Sequence, residues 1–401
     1  MLTNSGHLTY CTNIHSGEKW EDHFNELQKN FPGIKKELSP DKPMGMGLRL
    51  ANAASIELIK EKNLNAFKQW LNENNTYVFT MNGFPYGNFH DTRVKDHVHT
   101  PDWSTPERVE YTIRLFEILK ELLPEGMDGG VSTSPLTYRR WFPQEDTFKN
   151  AMDSCTNNVI LVAEHLIKMH RSTGVVFHLD IEPEPDGMLQ TGTEFIYWFK
   201  NVLLKNGCKK IADKFKVSLS EAEELLKAHI RLCYDVCHFA IGYEPHEEMI
   251  RQTVESGINI GKLQISAALK APMDKDVLNR QNIKENFSKY NEPIYLHQVV
   301  AKKNNDELLR YADLPEALSD VDNAEVNEWR AHFHVPVFKE EFGLLKSTQK
   351  DIIEVLCLQK DKNFTNHLEV ETYTWDVLPA SLKLPLQQSV IRELQWIAQQ
   401  L

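Results

Sequence analysis

Three short stretches of this chain carry carboxylates at spacings suited to chemistry. "HLDIEPEP" (178–185) sets Asp180, Glu182 and Glu184 at every second residue, and "YDVCH" (234–238) follows Asp235 with His238. "HLEVET" (367–372) alternates again, with Glu369 and Glu371. Alternate residues of an extended strand share a face, so each stretch can aim polar groups at one point. Carboxylates gathered from distant parts of a chain repel and shift toward protonation unless a cation lies among them. Buried charges are normally paired or bound to metal. With histidines at hand, a first-row divalent ion (Mn, Zn or Co) or Mg fits such a set better than Ca.

The cysteines near Asp235 suggest other chemistry, which the spacing rejects. Haem attachment wants C-x-x-C-H, and "CYDVCH" has one residue too many. A zinc knuckle needs a second paired-cysteine half and a redox pair needs C-x-x-C; neither is present. Cys233 and Cys237 therefore read as packing residues, and Asp235 as the chemical one.

What could bring these carboxylates together is an alternation of strands and helices. Strands are expected at "HLTYCTNIH", "GMGLRL", "TYVFTMNGF", "GGVSTSP", "VVFHLDIEP", "IRLCYDVCH", "KLQISAAL" and "NHLEVETYTW", with amphipathic helices between most of them. Thr105 and Pro106 mark one helix start, and Gly174 one helix end. A stretch "DELLRYADLPEALSD" also reads as helical, between the extended "EPIYLHQVV" and "EWRAHFHVPVF". About eight β–α units without a clear linker predict an α/β fold, a (β/α)8 barrel forming a single domain over residues 1–401. No GxGxxG follows the first strand, which weakens a doubly wound sheet. Residues from about 271 to 338 break the rhythm and read as an enlarged region after strand seven, and a terminal helix is expected over about 385–401.

In such barrels functional groups sit at the C-terminal ends of strands. Polar residues collect there: Asn13 and His15 after strand one, Asn82 after strand three, and Ser132 and Thr133 after strand four. Gln264 and Ser266 lie on strand seven, and His332 and His334 share a face of "RAHFHVPVF". A single carboxylate after a strand is often only a helix cap. The coincidence on strands five, six and eight is the stronger signal.

The totals narrow the partners. The net charge of −12 argues against nucleic acid, whose binders usually carry a basic face. No window reaches the ~18 apolar residues of a membrane span. "MLTNSGHLTY" lacks the pattern of a secretory signal, and six scattered cysteines read as reduced thiols, so a cytoplasmic location is expected.

With these motifs in order, the chain resembles the xylose-isomerase-like barrels of the sugar phosphate isomerase/epimerase superfamily. More narrowly, "LTYCTNIH", "TMNGFPYGNFH", "YLHQV", "HFHVP" and "EVETYTWDVLP" resemble the EboE family of metabolite-traffic proteins. The superfamily resemblance implies a divalent metal held by Glu182 (with Glu184 the competitor), Asp235 and Glu371 (preferred to Glu369). It places His238 three residues beyond the aspartate. A histidine usual on strand seven is Gln264 here, which leaves His334 or His297 to supply the missing ligand. The implied activity is isomerisation or epimerisation of a small polyhydroxy carbonyl compound, with Glu182 and Glu371 exchanging a proton and His238 neutralising a developing oxyanion. His15, Asn82, Gln264, His297 and Arg330 are the expected substrate contacts. Arg49, Arg93, Arg139 and Arg140 are further anion-binding candidates, and Trp20, Phe84, Tyr86, Trp103, Trp141 and Phe142 are candidate pocket walls. Proteins of the same metabolite-handling cluster are the implied partners. Metal-dependent phosphoester hydrolysis and non-catalytic metabolite carriage are the rival readings.

Overall fold

The computed structural model describes residues 1–87, 94–372 and 385–401. Eight parallel strands form the centre: β1 (Gly6–Tyr10), β2 (Met44–Arg49), β3 (Thr76–Asn82), β4 (Gly129–Thr133), β5 (Phe177–Ile181), β6 (Ile230–Asp235), β7 (Ile260–Ile265) and β8 (His367–Val370). Neighbours pair in the order β1-β8-β7-β6-β5-β4-β3-β2, so each strand lies beside its sequence neighbour. A bridge between Cys11 and Gly47 brings the two ends of the sheet together. Threonine hydroxyls help at this seam: Thr9 Oγ1 donates to the Gly45 carbonyl at 2.9 Å, and Gly47 N donates to Thr9 Oγ1 at 3.1 Å. The fold is the expected (β/α)8 barrel.

Helices cover the outside and bury their apolar faces against the strands. Trp20–Leu38, Glu61–Glu73, Pro106–Leu122 and Glu145–Thr173 serve the first half of the barrel. Gly174 ends the last of these with φ +74°, a left-handed turn, and its N–H reaches the His170 carbonyl at 2.8 Å. Thr105 precedes Pro106 as expected, yet its hydroxyl donates to the Asp102 carbonyl and does not cap the helix. Leu386–Gln400 forms the terminal helix.

Between β7 and the helix Gln349–Lys362 the chain builds a second, antiparallel sheet of six strands. Their order is Leu308–Tyr311, Val299–Lys303, Val326–Ala331, Leu269–Pro272, Leu345–Ser347 and Glu341–Phe342. The helix expected across "DELLRYADLPEALSD" is corrected here. Leu308–Tyr311 is a strand zipped to Val299–Lys302, and only Leu314–Ser319 is helical. The hairpin turn before it, with Asp306 at φ +65°, sets that register, and cross-strand pairing overrides local helix preference. All eight barrel strands come from outside this region.

The barrel interior is unusually polar. Lys262 on β7 and Glu369 on β8 are fully buried and paired at 2.6 Å, and Lys262 Nζ also donates to the Met81 carbonyl and Ser132 Oγ, each at 3.1 Å. Space for these groups comes from two glycines. A Cβ on Gly47 would lie 1.9 Å from Glu369 Oε1, and one on Gly261 would lie 1.9 Å from Asp180 Oδ1. Among the described residues, no helix is long and apolar enough to cross a membrane.

Candidate metal and catalytic site

The three carboxylate stretches end at one rim of the barrel. Oxygens of Glu182, Asp235 and Glu371 lie within 4.8 Å of one another, and all three side chains are buried. Chain direction explains the convergence. Glu182 follows β5 directly, Asp235 closes β6, and Glu371 follows β8, so all three sit at C-terminal strand ends.

Amide and hydroxyl groups fix each carboxylate. Glu371 Oε1 accepts from Asn13 Nδ2 at 2.7 Å and from Asn82 Nδ2 at 2.9 Å. Asp235 Oδ1 accepts from Ser266 Oγ at 2.6 Å and from the His238 backbone N–H at 3.2 Å, capping the short helix Val236–Ile241. At the centre stands Gln264. Its Nε2 lies 2.6 Å from Glu371 Oε2, 2.8 Å from Asp235 Oδ2 and 3.0 Å from Glu182 Oε1.

An amide nitrogen has two hydrogens, so three acceptors around it are one too many. The trio therefore demands a proton or a cation. Burial pushes the Glu182 carboxyl well above its usual range, and the charges of Asp235, Glu371 and Glu184 push it further. The residues fit a divalent ion in number, charge and oxygen chemistry, with Glu182, Asp235 and Glu371 the side chains to hold it. Gln264 would then have to turn its carbonyl oxygen inward.

Histidines form the next layer outward. His238 and His332 approach through their Nε2 atoms at 3.1 Å, and His332 and His334 at 3.3 Å. His332 is held well below the usual imidazole range, by burial first and then by the charges of neighbouring His238 and His334. For His334 burial acts downward, but hydrogen bonding to Glu371 outweighs it and the net shift is upward. The segment after Val326–Ala331 carries both rings back over the barrel, tied by His332 N to the Gln298 carbonyl at 2.8 Å and Val335 N to the Ala267 carbonyl at 3.0 Å. A cavity of about 60 Å³ opens here, lined by Asn82, Phe84, His99, Glu182, Glu184, His238, His332, His334 and Glu371 among others.

Several expected site residues lie elsewhere. His15 is buried beside Tyr10, whose hydroxyl meets its Nε2 at 2.9 Å, outside the residues lining this cavity. His297 faces away from the cavity, with Nδ1 on the His332 carbonyl at 2.8 Å and Nε2 on Glu292 at 2.7 Å. Its neighbours Leu296 and Gln298 line the cavity instead. Arg330 packs behind the second sheet, donating to the Ala240 carbonyl at 2.7 Å and pairing with Glu328 at 2.8 Å. Asn82 and Gln264 are at the centre. Glu369 is a layer deeper, bound to Lys262, while Glu184 lines the cavity 3.0 Å from His99 Nε2.

Of the arginines, Arg49, Arg139 and Arg140 pair with Glu18, Glu194 and Asp186 at 3.6, 2.9 and 2.9 Å. Arg93 and parts of two quoted motifs, at 88–90 and 373–379, lie outside the described residues. Of the aromatic candidates only Phe84 lines the cavity; Trp20 stacks on Phe24 and Trp103 donates to Thr133 Oγ1 at 3.1 Å. Cys233 lies inside the barrel 3.8 Å from Glu182, and burial followed by that carboxylate holds its thiol well above the usual value. His99 and Gln298 escaped the sequence reading. His99 ends a single short 3-10 turn, Lys95–His99, and Gln298 lies just before the strand Val299–Lys303, so neither sits in a stretch long enough for periodicity to mark direction. The H-x-H spacing was the visible sign of His332.

Fold and site together define an α/β barrel with a buried carboxylate–histidine centre at its C-terminal mouth. No family model matches the chain, and no curated protein matches it. Among solved structures it is similar to the IolI protein with a bound zinc atom, at 13% identity over 98% of this chain and 96% of that one, with a TM-score of 0.46. It is also similar to a xylose isomerase-like TIM barrel protein from Mycobacterium smegmatis in complex with magnesium (9% identity, 98% and 96% covered, TM-score 0.48). A third is the probable 3-DHS dehydratase AsbF of petrobactin synthesis from Bacillus anthracis (10% identity, 97% of each chain covered, TM-score 0.45).

Proposed function

We propose that this chain is a divalent-metal-dependent isomerase or epimerase of a small polyhydroxy carbonyl compound, such as a sugar or cyclitol derivative. The observation that supports it is the gathering of Glu182, Asp235 and Glu371 around one point at the floor of an open cavity. We further propose membership of the EboE family, on the motifs quoted above, with a single domain, cytoplasmic residence and other metabolite-handling proteins as partners.

Glu182, Asp235 and Glu371, with His334 beside them, would hold the ion, which would supply Lewis acidity toward a carbonyl oxygen. The chain supplies the proton chemistry. Glu371 Oε1 is held by the side-chain amides of Asn13 and Asn82, which orients the carboxylate to remove a proton alpha to the carbonyl. Glu182, whose oxygen lies within 4.8 Å of that of Glu371, is the second carboxylate and is placed to hand the proton back. His238 Nδ1 donates to the Pro183 carbonyl at 3.0 Å and Nε2 faces the neighbouring His332; the ring would donate from Nε2 to a developing oxyanion when protonated on both nitrogens. Phe84, Val98 and Leu296 give the cavity apolar walls.

The test is solvent deuterium exchange into a panel of ketoses, aldoses and cyclitol ketones by the metal-loaded protein. Glu371→Gln and Glu182→Gln should each lower exchange by about 10²–10⁴ with the fold intact by circular dichroism. Exchange at the unsubstituted rate in both variants would rule the mechanism out.

A further inference from the structure

The opposite end of the barrel holds a second polar cluster, which the proposed reaction does not use. Asp128 stands just before β4, His178 is near the start of β5, and His367 opens β8. One ligand atom from each lies within 4.8 Å of the others. Glu182 and Glu371 come four residues further along the same two strands, about 13 Å away at the usual strand rise. Asp180 and the Lys262–Glu369 pair fill the layer between. The cluster is therefore separate from the carboxylates at the mouth.

Its contacts set ring nitrogens against a carboxylate. His178 Nδ1 donates to Asp180 Oδ1 at 2.7 Å, the carboxylate–histidine contact by which proteins orient a metal-bound ring. With its hydrogen on Nδ1, the neutral ring presents Nε2 as an acceptor. The ring is fully buried, and Nε2 has no hydrogen-bond partner although Asp128 Oδ2 is 3.4 Å away. His367 Nε2 lies 3.2 Å from the other oxygen, Asp128 Oδ1. Burial above all holds His367 below the usual imidazole range. At Asp128 burial acts upward, but the two histidines outweigh it and the carboxyl lies below its usual range. Separations of 3.2 and 3.4 Å are long for a charge-assisted hydrogen bond, which runs about 2.7–2.9 Å. They match two ligands each about 2.0–2.1 Å from one tetrahedral zinc, which stand about 3.3 Å apart.

The surroundings suit a resident ion. Arg231 Nη1 donates to Asp128 Oδ2 at 3.2 Å and steadies the carboxylate from outside. A Cβ on Gly130 would lie 2.4 Å from His178 Cε1, so glycine on β4 makes room for the ring. Asp128 keeps 32% of its side chain exposed, which gives an ion a route from solvent and water a place as fourth ligand. We propose that Asp128, His178 and His367 form a cation site at the base of the barrel, whose two imidazoles select Zn²⁺ or a similar first-row ion over Mg²⁺. The ion ties β5 to β8 across the barrel floor, together with the segment entering β4. Its role is structural, since the base of such barrels serves stability and the opposite rim serves chemistry.

The probe is Zn²⁺ alone, added to the chelator-stripped full chain. Anomalous diffraction at the zinc edge from soaked crystals should show a peak between Asp128 and the two rings, beyond any peak at the mouth. Glu182→Gln/Glu371→Gln, which disables the mouth, should retain one equivalent of Zn²⁺ by calorimetry, with imidazole scattering in X-ray absorption. Adding Asp128→Asn to that double variant should weaken the remaining site at least tenfold, with the fold checked by circular dichroism. A peak at the mouth alone, loss of all zinc from the folded double variant, or unchanged affinity after Asp128→Asn overturns the proposal. A peak at the base alone supports it and counts against the carboxylate reading instead. Should Asp128→Asn fail to fold, the diffraction peak on the unsubstituted chain decides.

Discussion

Replacing Glu182 by glutamine should flatten the pH dependence of stability in the metal-free protein. Burial, followed by the charges of Asp235, Glu371 and Glu184, raises the Glu182 carboxyl well above the ordinary glutamate value. In the unfolded chain it titrates as a free glutamate does, near pH ~4.3. From there up to the raised folded value, the folded state holds a proton that the unfolded state has lost. Stability then falls by up to about 1.4 kcal/mol for each pH unit gained. The contribution is complete below the unfolded pKa and is lost as pH rises through the window. Because the three carboxylates and Gln264 share their protons, that slope is a ceiling for the group. Urea unfolding of stripped protein at about pH 5, 6 and 7, with circular dichroism and tryptophan fluorescence required to coincide, gives the free energies. The advantage of Glu182→Gln over the unsubstituted chain should widen as pH rises. Saturating Zn²⁺ should reverse the trend, since metal competes with protons. A difference that stays constant across the range would refute the electrostatic reasoning.

Two further substitutions probe the barrel floor. Lys262→Met strands the Glu369 carboxylate in the interior, and the loss should be about 3–5 kcal/mol in denaturant unfolding. Lys262→Met/Glu369→Leu should recover most of it; a double variant no more stable than the single would show that the 2.6 Å pair is not the cause. Gln264→His exchanges an amide for imidazole among three carboxylates and should tighten Zn²⁺ binding at least tenfold, or about 1.4 kcal/mol, by calorimetry. Unchanged or weaker binding would show that Gln264 is not positioned to ligate.

Much of this architecture is written in local pattern. Alternating strands and helices specify the barrel, and period-two spacing in "HLDIEPEP" and "HLEVET" shows which carboxylates share a face. Strand ends are local features, so Glu182, Asp235 and Glu371 are legible before any contact is known. Pattern alone left Glu369 and Glu371 as competitors. The structure separates them by depth: Glu369 is one layer down with Lys262, and Glu371 is at the rim.

The region after β7 was least legible, because its strands are specified by partners far along the chain. Leu308–Tyr311 has helix-compatible residues and becomes a strand because Val299–Lys303 lies beside it. The direction of a ring on an irregular segment follows from the backbone bonds that hold it, so His332 and His334 reach the site while His297 turns away. Local periodicity was enough to specify the barrel and the three strand ends that carry carboxylates, and it left Glu182 beside Glu184 and Glu371 beside Glu369. Long-range packing was needed to place Gln264 among them, to bury Lys262 against Glu369 and to bring three imidazoles edge to edge. Those arrangements are set by non-local distances, which spacing along the chain does not encode.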